Sequence, residues 1–378
     1  MSDPSRKHLF SPVKVGALSL KHRVAMPPIS RLRAHTDGVP SALMTTYYGQ
    51  RASDGGLIIA ESSAVAPLGR PYLTGPGLYS DNQVEGWRSV VKAVHAKGGV
   101  IVAQLTHAGR LTSDSITEGL TPVTASVDPV FGSTGDILVP LRDGFGPPSS
   151  HRSLRLEEIE EVVAQFRAAA MNAKRAGFDG VEILAAQGHL IQQFLSDGSN
   201  GRTDEYGGSF HNRERLLIEI VEALVEVWGE GRVAVRLGPS STFSGMYDSD
   251  PQALYRHLVD RLNRYALSYL HVIEPRVMGA ETVDVTQAPI ASADMRSIFH
   301  GYVIAAGGFE PESAEEALAN GVADLIAFGR HFTSNPDLPD RIERGYPLTP
   351  YERSGFYGTE PTAYIDFGSY QGSTSMAV

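Results

Sequence analysis

The chain of 378 residues contains no cysteine. That excludes disulfides, thiolate catalysis, Cys-ligated zinc and iron–sulfur clusters, and it suits a reducing compartment. Basic residues are outnumbered, 33 Lys and Arg against 43 Asp and Glu, for a formal net charge of −10. Nucleic acids and anionic membranes both select clustered positive charge, so neither is an expected partner. No run approaches the about 18 uninterrupted apolar residues of a membrane span, and the opening MSDPSRKHLF lacks the apolar centre of a signal peptide. A cytoplasmic protein is expected, monomeric or homodimeric, acting on a small molecule. There is no G-x-G-x-x-G, no G-x-x-x-x-G-K-[ST], no G-x-S-x-G and no H-E-x-x-H. The twelve histidines are scattered, and no metal is assigned.

With 42% apolar and 20% charged residues, a large core is expected. Short apolar runs alternate with helical patterns. The runs that read as strands are Arg23–Met26, Leu57–Ala60, Val100–Leu105, Gly180–Leu184, Val233–Leu237, Tyr269–Ile273, Tyr302–Ala306 and Leu325–Phe328. Helical patterns such as Glu85–Lys97 and Leu156–Ala176 separate most of them. Strands that are apolar on both faces pair in parallel, and eight of them with intervening helices make a (β/α)8 barrel. The expectation is one α/β domain over residues 1–378. Gly177 stands where a left-handed helix end meets the next strand.

Two stretches break the rhythm. Residues 106–153 are rich in Gly, Pro, Ser and Thr and follow the third strand. A connection of that length is a lid, or an insertion with small strands of its own, over the face where barrel active sites are built. The tail, 347–378, is irregular but holds Tyr351, Phe356, Tyr357, Tyr364, Phe367 and Tyr370, a density that suits packing against the barrel.

The seventh strand ends in Gly307-Gly308 and the eighth in Gly329-Arg330. Glycines let backbone N–H groups approach an anion, and arginine offers a planar fork of donors. Loops after strands seven and eight hold the recurrent phosphate site of this fold. The plainer alternative is two tight turns and a surface arginine. Gln104 ends the third strand and Arg236 the fifth, both aimed at the barrel mouth. A glutamine amide matches the donor–acceptor edge of a flavin pyrimidine, and an arginine favours the reduced anionic ring. Either residue alone could equally be a satisfied polar group in the barrel wall.

The runs His22–Arg33, Gln104-Leu105, Ser199–Ser209, His271–Val277 and Asn335–Leu338 follow one another as they do in old yellow enzymes, which the chain resembles from about residue 8 to residue 370. The resemblance implies non-covalently bound FMN, with NAD(P)H as reductant. It implies ring contacts from Pro28, Ser30, Ser62, Gln104 and Arg236, with Ser30 where the family usually has threonine and Ser62 acting through its backbone. It places the phosphate at Gly307, Gly308, Gly329 and Arg330, and Tyr357 over the substrate site.

The catalytic segment departs from the family pattern. V-E-[IL]-H-x-A-[NH]-G-Y-L reads here Val181-Glu182-Ile183-Leu184-Ala185-Ala186-Gln187-Gly188-His189-Leu190. The first anchoring histidine is Leu184, the second donor is Gln187, and the proton-donating tyrosine is His189. A tryptophan often found after the flavin-binding glutamine is Thr106. Loss of one oxygen-binding donor costs about 3–4 kcal/mol of transition-state stabilisation. The expectation is a retuned enzyme reducing an activated C=C bond, with Gln187 on the substrate oxygen, His189 as proton carrier at an ordinary pKa of about 6.5, and Tyr357 as wall and second donor. Thr106, Leu184 and Phe243 would shape a larger substrate pocket. The alternatives are a flavin-dependent isomerase or desaturase with His189 as base, and a flavin-binding protein without catalysis.

Overall fold

All eight apolar runs form strands: Val24–Met26, Leu57–Ile59, Val100–Thr106, Gly180–Ala185, Val233–Leu237, Tyr269–Ile273, Tyr302–Ala306 and Leu325–Ala327. They pair in parallel in chain order. The eighth returns to the first, Ile326 opposite Val24, so the sheet closes into a barrel and leaves no open edge. The computed structural model describes residues 6–128, 130–133, 135, 137–279, 281–284 and 290–372.

Strand alternation sorts the side chains. Ala25, Leu57, Val102, Ala234, Tyr269, Ile304 and Leu325 pack inside the barrel. Ile58, Ile101, Val181 and Val235 face outward into the helical layer. A hairpin, Val13–Val15 with Leu18–Leu20, adds Val15, Leu18 and Leu20 to the inner cluster and plugs the barrel. The helix at Asp81–His95 starts ahead of the expected Glu85 because Ser80 and Gln83 form a reciprocal capping box. The helix at Leu156–Ala176 has the expected bounds, and Gly177 closes it at φ 94° in the left-handed region.

Residues 106–153 contain two small strand pairs, Val123–Thr124 parallel to Arg152–Ser153 and Val139–Leu141 antiparallel to Gly144–Gly146. Leu111 and Phe131 pack with Val139 of the second pair into a small apolar cluster. The tail is tied down by a buried cation. Arg31, wholly buried, donates to the carbonyls of Gly355, Phe356 and Ala363 and to the Tyr47 hydroxyl. Tyr47 in turn stacks on Tyr364 at 4.1 Å. Phe356 and Tyr364 are buried, whereas Tyr357 is left half exposed at the mouth; residues 373–378 lie outside the described residues. Among the described residues no helix is long and apolar enough to cross a membrane.

Candidate active site

A cavity of about 370 Å³ opens at the C-terminal ends of the strands. Pro28, Ser30, Ser62, Gln104, Arg236, Gly307, Gly308, Gly329 and Arg330 line it, together with Leu184, Gln187, His189, Phe243 and Tyr357. Residues from the first strand to the tail are thus brought together. Thr106 does not line it: the side chain is wholly buried, behind His189.

The floor is a polar layer on consecutive strands. Register sets Gln104 beside Glu182, Leu184 beside Arg236, and Arg236 beside His271. Gln104 Nε2 donates to Glu182 Oε1 at 2.7 Å, and His271 Nδ1 lies 2.9 Å from Glu182 Oε2. Burial alone would raise the Glu182 carboxyl, but His271, Arg236 and Gln104 outweigh it and hold it below the usual range. An ionised carboxylate only accepts, so the Gln104 amide turns its NH2 toward it and His271 carries its proton on Nδ1. Arg236 Nε and His271 Nε2 are left buried with no partner among the described residues. Unsatisfied polar atoms under a cavity are costly unless a ligand meets them.

The other end of the cavity is built for an anion. Gly307 and Gly308 have φ of 130° and 65°. A Cβ on Gly308 would lie 3.1 Å from Arg276 Nε and 3.5 Å from Arg330 Nη2. Arg276 Nε donates to the Gly307 carbonyl at 2.7 Å, while its buried Nη2 has no partner among the described residues. Arg330 Nη1 donates to Thr282 Oγ1 at 2.8 Å and to Tyr351 Oη at 3.3 Å. Two guanidinium groups flanking a glycine turn suit a phosphate. Arg276 has no role in the sequence reading, although it stands in the His271–Val277 run. Together the two ends fit FMN, a planar ring with a hydrogen-bonding edge joined to a phosphate.

The substrate side differs in character. Leu184 packs with Ala186, Ile273 and Val277 into an apolar wall. Gln187 sits at φ 55°, in the left-handed region that a side chain resists. Such strain, of order 1–3 kcal/mol, persists where the surroundings fix it and is common at functional sites. His189 stands at the N-cap position of the short helix Leu190–Leu195, without a side-chain capping bond, and faces the cavity with Nδ1 2.6 Å from Thr106 Oγ1. Its pKa is pushed down to about 4, first by burial and then by the charge on Arg236. The imidazole is therefore neutral at pH 7, contrary to the ordinary value expected from its residue type. Tyr72 also lines the cavity, its hydroxyl pushed up by burial and by the nearby Tyr357. It lies outside every matched motif, in a loop whose fold over the mouth no local pattern announces.

The sequence profile described as NADH:flavin oxidoreductase / NADH oxidase family matches residues 8–349. The chain belongs to this family, that of the old yellow enzymes. Flavin oxidoreductase hxnT of Emericella nidulans is 42% identical, the alignment covering 95% of this chain and 97% of that one. 12-Oxophytodienoate reductase 1 of Oryza sativa subsp. japonica is 41% identical over 95% of this chain and 92% of its own. Morphinone reductase in complex with tetrahydroNAD superposes with a TM-score of 0.88 at 41% identity, covering 97% and 98% of the two chains. The old yellow enzyme homologue from Zymomonas mobilis gives 0.90 at 38% identity, covering 96% and 99%. This old yellow enzyme is an FMN-dependent NAD(P)H oxidoreductase on a (β/α)8 barrel.

Proposed function

We propose that the enzyme reduces the C=C bond of an apolar molecule conjugated to a carbonyl or nitro group. When bound, FMN would supply two-electron chemistry, passing hydride from NAD(P)H to the carbon β to the electron-withdrawing group, with a proton added at the α carbon to complete the reduction. Gln104 and Arg236 would hold the ring edge, and Gly307, Gly308, Gly329 and Arg330, with Arg276, the phosphate; Pro28, Ser30 and Ser62 complete the contact surface. Gln187 and His189 would meet the substrate oxygen and its proton. Leu184, Phe243 and Tyr357 would wall the substrate in, Tyr357 with a hydroxyl to offer as second donor. The observation behind this reading is the division of one cavity into a phosphate cradle, a polar floor and an apolar wall that carries Gln187 and His189 at its edge.

The insertion 106–153 is proposed as the lid. Leu111 reaches the mouth turn, where a Cβ on Gly188 would lie 2.9 Å from Leu111 Cδ1. Closing over the site would exclude water from the hydride step.

The test is anaerobic. FMN-loaded enzyme is reduced with one equivalent of NADH or NADPH, then mixed with a panel of enones and nitroalkenes carrying apolar rings. Reoxidation with formation of the saturated product is the expected result. Reduced enzyme that reacts only with oxygen or quinone would overturn the reading.

A further inference from the structure

We propose that Thr106 is a positioning residue that fixes His189 in the tautomer with its proton on Nε2, so that a neutral imidazole presents one N–H to the oxygen of a carbonyl or nitro substrate. The proposal deepens the function above and rests on it for the identity of the ligand, though not for the tautomer.

Thr106 is wholly buried, and its hydroxyl meets no other hydrogen-bond partner among the described residues than His189 Nδ1, at 2.6 Å. A hydroxyl has one hydrogen. If Nδ1 carried the proton, Thr106 would accept it and its own hydrogen would point at nothing, an unsatisfied buried donor. The bond that satisfies both groups runs from Thr106 O–H to the Nδ1 lone pair, which places the imidazole hydrogen on Nε2.

Neither partner is free to drift. The Thr106 carbonyl accepts from Val65 N at 3.0 Å, and its strand runs beside Ala64. His189 N donates to the Ala186 carbonyl at 3.2 Å and its carbonyl accepts from Gln193 N at 3.0 Å. The next residue, Leu190, is bonded to the His107 carbonyl, which ties the turn to the segment after Thr106. The charged and titratable groups facing the ring are Arg236 from the fifth strand and His107, itself pushed down to about 3 by burial and by His189. Burial and the Arg236 charge disfavour an imidazolium at His189.

A neutral N–H donor strengthens as negative charge gathers on an oxygen, without giving its proton to the ground state. With Leu184 offering no donor on the facing wall, His189 Nε2 and the Gln187 amide form the oxygen-binding pair. The wall of Leu184, Ile273 and Val277 then receives the rest of the molecule. That combination selects an apolar enone or nitroalkene with a single acceptor group.

The experiment uses FMN-loaded enzyme with ¹⁵N-labelled histidine, the His189 signals being assigned by their loss in His189→Phe. The expected spectrum shows a protonated Nε2 and an unprotonated Nδ1 from pH 6 to 8. Thr106→Val, which keeps the shape and removes the hydroxyl, should shift the ring toward a tautomer mixture, and Thr106→Ser should restore it. In stopped flow with 2-cyclohexenone, Thr106→Val should slow reoxidation about tenfold, the worth of one hydrogen bond, while reduction by NADPH stays as in the wild type. A protonated Nδ1 in the wild type, or a spectrum and rate unchanged in Thr106→Val, would overturn the proposal. If no alkene reoxidises the wild type but the tautomer is as stated, the functional reading fails and the assignment of Thr106 stands.

Discussion

Gln104 Nε2 donates to Glu182 Oε1 across 2.7 Å between neighbouring barrel strands, and both side chains are buried. The bond orients the Gln104 amide and keeps a negative charge close to Arg236. Glu182→Gln preserves shape and removes that charge. A charge-assisted hydrogen bond contributes about 1.5–3 kcal/mol against about 0.5–1.5 for a neutral one, so FMN affinity should fall about tenfold. Titration of FMN fluorescence against apoprotein measures it. Equal affinity in wild type and variant would show that Glu182 does not set the ring-binding edge.

Arg276, in the loop after the sixth strand, and Arg330, in the first turn of the helix Gly329–Ser334, converge on Gly308. Each removed singly should cost about 1.5–3 kcal/mol of FMN binding. Arg276→Ala also releases the Gly307 carbonyl from its 2.7 Å bond, so its loss should equal or exceed that of Arg330→Ala. The apoprotein melting temperature should change little in Arg330→Ala, whose charge faces the cavity. Unchanged FMN affinity in both variants would remove the phosphate assignment.

The barrel was legible because its strands are buried on both faces and therefore read as unbroken apolar runs, such as Val233–Leu237. Gly177 was legible because a helix end of this kind favours glycine. That Gln104, Arg236, Gly307, Gly308, Gly329 and Arg330 gather around one cavity was legible from their places at strand ends. Glu182 and His271 were within reach of the same logic, since alternation from Leu184 and from Tyr269 points both inward, yet matched motifs drew the reading toward their altered positions. Thr106, expected to shape the substrate pocket, lies behind His189 instead. Alternation places it inward with Gln104, but nothing local says that His189, far along the chain, folds over it. The left-handed backbone of Gln187 was equally hidden, because the neighbouring Gly188 is the residue that sequence logic would assign to such a turn.

Leu184 occupies an apolar cluster at the position where the family resemblance implies a donor. Leu184→His should add a hydrogen-bond donor at the mouth beside Gln187 and His189. Recovery of part of an interaction of about 3–4 kcal/mol predicts tighter binding of phenolic ligands, seen as a stronger long-wavelength charge-transfer band, and faster turnover of small cyclic enones. The apolar contacts to Ala186, Ile273 and Val277 would be lost, so turnover of bulky apolar substrates should fall in the same variant. Tight phenol binding by the wild type would mean that His189 and Gln187 already suffice and that Leu184 costs the enzyme nothing.

His189 gives the enzyme a definite pH signature. Its folded-state pKa is about 4, lowered by burial and by Arg236, against an unfolded value of about 6.5. Above pH 6.5 the ring is neutral in both states. Between pH 6.5 and 4 the unfolded chain takes up a proton that the folded site refuses, so this group's contribution is intact at pH 7 and is lost as the pH falls toward 4. His189→Phe should therefore show a smaller drop in melting temperature from pH 7 to pH 5 than the wild type. The same pKa bears on catalysis. At pH 7 only about one site in a thousand would hold an imidazolium, three pH units above the pKa. The rate constant for reoxidation by an activated alkene should thus be flat from pH 6 to 8 and change only below about pH 5, while His189→Phe slows it by about 10²-fold or more at every pH in that range. Stopped-flow measurement of both half-reactions across pH decides it. A sigmoidal profile near pH 6.5 that vanishes in His189→Phe would show that the imidazole titrates freely in the working enzyme and acts as an ordinary acid. A flat profile with equal slowing of flavin reduction and reoxidation would trace the loss to a displaced ring or collapsed mouth, not to the missing N–H.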